Sequence, residues 1–335
     1  MDKQITKISD LCRDIWFEIF AYFYADELFY TFLDVLNDID SILLNDNQLR
    51  VHVRIGYRSS TNLLLKLNPY QVISLSVVEL DKNQLNINNM IYLKSIIIRG
   101  ANTDKEIEDL LIQMISLKEI KNLSISLYCN DRGPDLLNLA LRIPGLKTLY
   151  IDDTNYWKIY NYPTEIIQSR SLSIENLSLN FYCHLEYIQR FLLNLPNIRT
   201  IRVKLHRSKR GFSDNLNDLL FNSIKKIHLT ILNVSFDRII FFDRIISFIE
   251  KMPNIQIIKI NGHIMETHDI AYFQSEKWLK LLNINNKMKK IDVSLRFIPS
   301  YPSLLENNTG VNIYDEFNKL GLQLTSSTIK GVINL

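Results

Sequence analysis

Ile174-Glu-Asn-Leu177-Ser-Leu179-Asn-Phe181 leads into Leu185-Glu-Tyr-Ile188-Gln-Arg-Phe191-Leu192 and closes on Leu195-Pro196-Asn197-Ile198. The first run alternates apolar with polar residues, the period of a half-buried strand. The second sets its apolar residues three and four apart, on one face of a helix. Proline then stops the helix and re-aims the chain. This unit decides the fold because it recurs. The same apolar triplet, at positions one, four and six, starts at Val72, Leu93, Ile120, Leu146, Ile174, Ile198, Ile224, Ile255 and Met288. Helical patterns lie between the triplets over Asp104–Ile115, Pro134–Arg142, Leu185–Leu195, Asn215–Ser223, Phe236–Lys251 and Asp269–Leu282. One such unit cannot bury its own apolar face, so the copies must stack.

Successive triplets begin 21 to 33 residues apart. An L-x-x-L-x-L run at this spacing resembles the leucine-rich repeat. The resemblance implies an α/β solenoid, a horseshoe with parallel strands on its concave side and helices on its convex side. Asn155 stands at the repeat's asparagine position in one copy. About nine units would fill residues 72–298. Residues 46–71 read as their opening edge, with a strand in Leu49-Arg-Val51-His-Val53-Arg-Ile55 and a short helix after Ser59-Ser60-Thr61. Residues 299–335 read as a closing segment, with a helix from Asp315 and a last strand at Leu322-Gln-Leu324.

Hydrophobic content of 47% with only 9 glycines and 8 prolines describes a folded chain, not a disordered or collagen-like one. Cys12, Cys129 and Cys183 are odd in number and widely spaced, which favours free thiols over a disulfide framework or a zinc site. Met1-Asp-Lys-Gln-Ile-Thr-Lys lacks the apolar core of a signal peptide. The most apolar later run, Ile231–Ile249, is broken by Asp237, Arg238, Asp243 and Arg244, which a bilayer would penalise. The expected setting is therefore the cytoplasm or nucleus, without a membrane partner. Net charge is only +3, but it is unevenly spread. Residues 1–50 hold ten acids against four bases, and residues 198–230 hold eight bases against two acids. Opposite fields at the two places suggest two surfaces with different partners.

The acidic end reads as three short helices. Leu11-Cys-Arg-Asp-Ile15-Trp16-Phe-Glu-Ile19-Phe20-Ala-Tyr-Phe23 gathers its apolar residues on one helical face. Ala25-Asp26-Glu27-Leu28 opens a second helix with acids in its first turn, and Asp38–Leu44 forms a third. Helices this short share a small core, and the apolar groups left outside it imply a partner. The segment resembles an F-box. Leu11, Asp14, Ile15, Trp16, Ile19, Phe20, Phe23 and Leu28 occupy that family's positions, with Cys12 where proline is usual and Glu27 where aspartate is usual. Its place ahead of a leucine-rich array is shared by one large branch of F-box proteins. The resemblance implies that residues 1–45 dock on a Skp-family adaptor, and through it a cullin, by Leu11, Ile15, Trp16, Ile19, Phe20, Phe23 and Leu28. It also implies that the array binds a target protein, so that the chain is the non-catalytic receptor of a ubiquitin ligase. The alternatives are that these helices only cap the array and that the protein is an interaction scaffold outside ubiquitylation.

No GxGxxG, P-loop, GxSxG or HExxH occurs, and the six histidines show no ligand spacing. The sequence thus points to neither enzyme nor cofactor nor metal. Counting outward from the triplets, Ser74, Ser76, Ser124, Ser126, Asp152, Asn176, Ser178 and Asn180 face away from the core early in the array. Later units present Arg202, Lys204, Lys226, His228, Lys259 and Lys290 instead. Such a basic face suits an acidic or phosphorylated protein segment. The loop His206–Gly211 extends it, and Tyr150, Trp157 and Tyr182 are candidate anchors. Nucleic acid is not favoured, since no aromatic ladder accompanies the bases.

Overall fold

A computed structural model describes residues 11–35, 37–46, 48–56, 67–78, 85–100, 104–127, 133–153, 169–205, 220–233, 242–265, 272, 274–298, 313–324 and 328–334. The chain is α/β, and its described residues form twelve strands in a mostly parallel arrangement. It divides into two compact units, Met1–Leu149 and Tyr150–Leu335.

The first unit opens on α1 (Arg13–Phe20), α2 (Ala25–Phe32) and α3 (Asn37–Asn45), then β1 (Val51–Ile55). It continues through β2 (Val72–Val77), β3 (Ser95–Ile98), α4 (Asp104–Ile115), β4 (Asn122–Leu127) and α5 (Gly133–Leu141) to the start of β5 (Thr148–Asp153). Strands β1 to β4 pair in chain order, all parallel. The three opening helices close around an aromatic cluster. The rings of Trp16 and Phe20 lie 5.4 Å apart, and Phe32 sits 5.4 Å from Phe20 and 5.8 Å from Phe23. Helix α2 is fastened to β1: Arg54 pairs with Asp26 at 3.1 Å and Glu27 at 3.5 Å, and its guanidinium stacks over Tyr24. Tyr24 also forms a parallel bridge with His52, so β1 does not present a bare edge there.

The second unit follows the same plan with β6 (Asn176–Cys183), α6 (Leu185–Leu192), β7 (Thr200–Leu205), β8 (Lys226–Asn233), α7 (Phe242–Glu250), β9 (Ile257–Met265), α8 (Ser275–Leu282) and β10 (Lys290–Ile298). Strands β6 to β10 are parallel neighbours in chain order. All nine apolar triplets are buried from first to last residue, Val72/Leu75/Val77 through Met288/Ile291/Val293. Each such Leu, Ile or Val contributes about 1.5–3 kcal/mol by leaving water. The Pro-Asn corners have a structural use beyond stopping helices. Asn197 Nδ2 donates to the Leu172 carbonyl at 2.6 Å, and Asn254 Nδ2 donates to the Asn222 carbonyl at 2.7 Å. In both cases the asparagine just before one triplet ties down the chain two residues before the preceding one. Backbone bonds repeat the tie, Arg199 and Thr200 to Glu175 and Lys225 and Lys226 to Arg199.

The end of the chain differs from the sequence reading. Helix α9 (Ile313–Lys319) and β11 (Leu322–Leu324) form, but β11 is not the last strand. A further strand, β12 (Thr328–Asn334), pairs antiparallel with β10 and separates it from β11. Gly331 weakened its signal, since glycine is poor in strands. Here it is required: a Cβ at Gly331 would stand 2.5 Å from the Gly321 carbonyl oxygen. The expected helix over Asn215–Ser223 lies mostly outside the described residues, and its end, 220–223, is not helical. The short helix after Ser59, Asn155, Trp157 and the loop 206–211 also lie outside them.

Candidate functional site

In the second unit, the period-two alternation that buries Ile201, Val203 and Leu205 turns Thr200, Arg202 and Lys204 to the opposite face. Strand register then sets outward residues side by side in rows. Arg202, His228, Lys259 and Asp292 form one row across β7 to β10. Thr200 and Lys226 lie on one side of it, and Lys290 opposes Ile257 on the same side. On its other side lie Lys204, Thr230, Asn261, Ser294 and Lys330, the last contributed by β12. Neighbouring strands are about 4.8 Å apart, so cations in one row are within reach of one ligand.

These cations are not equivalent. Lys259 meets Asp292 at 3.5 Å. Lys204 is partly buried, which lowers its pKa, while the nearby Asp152 opposes that shift. Asp152 itself accepts hydrogen bonds from Asn180 Nδ2 at 2.6 Å and the Tyr150 hydroxyl at 3.3 Å. Arg202, Lys226 and Lys290 have no ion-pair partner among the described residues. The His228 ring lies 3.2 Å from Asn261 Oδ1, which also accepts from the Thr230 hydroxyl at 2.9 Å. Burial pulls the His228 pKa below the ordinary histidine value, and Lys259 and Arg202 lower it further, against the Asn261 bond and Asp292, which raise it. At neutral pH His228 is thus an uncharged hydrogen-bonding group within a basic row. A histidine whose folded pKa is depressed adds stability above the unfolded value and loses it as pH falls through the folded value. The expected result is a His228 ring signal that titrates below pH 6.5, with a urea midpoint that rises less between pH 5 and 7 in His228→Gln than in the wild type. Titration at or above 6.5 would contradict the placement of the ring.

Beyond the rows read from the sequence, the same face forms a cavity of about 420 Å³ lined by Thr230, Asn261, His263, Ser294, Arg296 and Lys330, together with Gly262, Leu295 and Thr328. No family model and no curated protein matches this chain. Arg296 continues the outward period of β10 two residues past Ser294, and that signal was present in the sequence. Lys330 required the antiparallel β12, which the sequence pattern did not reveal.

The other candidate surface is at the N-terminus. Of the seven apolar residues proposed for adaptor docking, Trp16, Phe20 and Leu28 are buried in the module's own core. Ile15 is exposed, and Leu11, Ile19 and Phe23 are half-buried. Ile15, Ile19 and Tyr22 follow at helical spacing, so they share one side of α1 and its exit turn. Tyr22 is 88% exposed, Tyr30 on α2 is 94% exposed, and Val35 is also open to solvent. Sequence reasoning passed over both tyrosines because they fall outside the F-box-like positions. Among the described residues no cluster of three metal-ligating side chains exists, and no helix is long and apolar enough to cross a membrane.

Proposed function

We propose that this chain is the target-recognition subunit of a Skp–cullin–F-box ubiquitin ligase, with a leucine-rich-repeat array that holds the target. The observation that carries the reading is the N-terminal module's division of its apolar residues. Trp16, Phe20 and Leu28 build a core, yet Ile15, Tyr22, Tyr30 and Val35 remain in solvent. Ile15, Ile19 and Tyr22 share one side of α1 and its exit turn, and apolar side chains gathered on one face of so small a module mark a docking site. The nine buried triplets on parallel strands support the array, and its polar face carries the unpaired cations Arg202, Lys226 and Lys290 for an acidic or phosphorylated target. The mechanism is proximity: the chain raises the effective concentration of a target lysine near the transferring subunits and does no chemistry itself.

Capture by purified Skp adaptor tests this. The wild-type chain should bind, and Ile15→Asp should lose on the order of thirtyfold or more in affinity, as for an interface anchor, with an unchanged circular dichroism spectrum. Absence of wild-type binding, or full binding by the variant, refutes the docking surface. The Tyr24–His52 bridge and the Arg54 pairs favour a second reading, in which the helices only cap β1 of an interaction scaffold.

A further inference from the structure

We propose that the cavity over β8, β9, β10 and β12 is a binding site for a phosphate monoester. Its two cations come from two strands, β10 and β12. Arg296 stands opposite His263 of β9 and Thr328 of β12, while Lys330 stands opposite Ser294 of β10. Arg296 and Lys330 are therefore diagonal neighbours, which roots two permanently charged side chains about 7 Å apart on one face. Among the described residues no carboxylate lines the cavity. Asp292, two residues back along β10, is engaged by Lys259. Arg296, Lys330 and His263 have no ion pair among the described residues. Like charges held together without a counter-ion cost electrostatic energy, and a bound anion relieves it.

The neutral groups narrow the ligand. The Thr230 hydroxyl is held by Asn261, so that part of the wall is fixed. Ser294 sits in the middle of the cavity lining, between Asn261 and Lys330, with its hydroxyl available. A guanidinium, an ammonium, an imidazole and a hydroxyl set on three strands around one cavity suit a tetrahedral dianion with three outer oxygens better than a planar carboxylate, which one arginine satisfies alone. The volume lies in the range of organic-ligand pockets, so the phosphate would arrive attached to a larger group. A nucleic-acid backbone is a poorer match, because Asp292 interrupts the cationic positions along β10. The proposal rests on the reading of this face as an anion-binding surface and is independent of adaptor docking.

Calorimetric titration of the full chain tests it, with O-phospho-L-serine, a phosphoserine hexapeptide, its unphosphorylated form and a dephosphorylated oligonucleotide as probes. The phosphoserine probes should bind saturably and the unphosphorylated peptide should not. Arg296→Gln with Lys330→Gln should weaken binding at least about tenfold, a change of about 1.4 kcal/mol, at an unchanged urea midpoint. Lys105→Gln, exposed on α4 and outside the cavity, should alter it less than about twofold. Tighter binding of the phosphopeptide than of O-phospho-L-serine assigns a protein source, and equal binding assigns a free organic phosphate; both uphold the cavity. No saturable binding, equal losses in Lys105→Gln, or equally tight binding of the oligonucleotide overturns it. Failure of adaptor capture leaves this result untouched.

Discussion

Gly262→Ala is expected to lower the stability of the second unit by about 4 kcal/mol or more, the range reserved for a few severe mechanisms. Two of them coincide here. Gly262 has φ +146°, a backbone conformation essentially closed to side-chain-bearing residues and worth about 1–3 kcal/mol of strain. A Cβ would also stand 1.8 Å from the Ile231 carbonyl oxygen and 2.7 Å from its carbon. Those atoms belong to β8, the strand paired with β9 at this residue. Backbone cannot swing aside as a flexible side chain does, so the β8–β9 ladder must part. Gly56→Ala is the control. Its new Cβ would meet the Val78 side chain at 3.3 Å, a contact relieved by a small shift. An unfolding free energy for Gly262→Ala, from urea titration, within about 1 kcal/mol of the Gly56→Ala value would show that the tight approach of β9 to β8 is not real. Because Gly262 also lines the phosphate cavity, the same variant should abolish binding there through misfolding, which is why the cavity is tested with Arg296 and Lys330 instead.

The core was more legible than the site, for a physical reason. Burial behind one face of a parallel sheet repeats along the chain, so Val72, Leu75 and Val77 announce the same environment as Met288, Ile291 and Val293. Local periodicity likewise sets α4 at Asp104–Ile115, as the sequence pattern required. A binding surface is instead built across strands. Lys259 looked like a free cation from its position, but its neighbour in space, Asp292, is 33 residues away in the chain and answers its charge. His228 looked basic, but desolvation within the row removes that charge at neutral pH. Arg296 and Lys330 become neighbours only because β12 runs antiparallel beside β10, and the alternation that betrays a strand is blurred by Gly331. The N-terminal module shows the same limit: an amphipathic pattern places Ile15, Trp16, Ile19 and Phe20 together, but it does not tell which of them the module keeps for itself.

Phe20→Ala separates the two readings of that module. The ring is fully buried against Trp16 and Phe32, and truncation of such a residue costs about 3–5 kcal/mol. Three helices of 8, 8 and 9 residues cannot hold a core against such a loss, so α1 to α3 should melt. Adaptor capture by Phe20→Ala should then fail even though Phe20 is inaccessible to any partner. Ile15→Asp, with its exposed side chain, is the variant that reads docking itself. Amide hydrogen exchange decides the rest. In a docking module, fast exchange in Phe20→Ala should stop at the helices, leaving Val51, Val53 and Ile55 of β1 as protected as before. In a cap, loss of Tyr24 and of the Asp26–Arg54 pair should spread into β1 and β2, because an uncovered edge strand loses both its packing and its pairing. Protection of α1 to α3 unchanged by Phe20→Ala would show that the aromatic cluster is not what holds the three helices together.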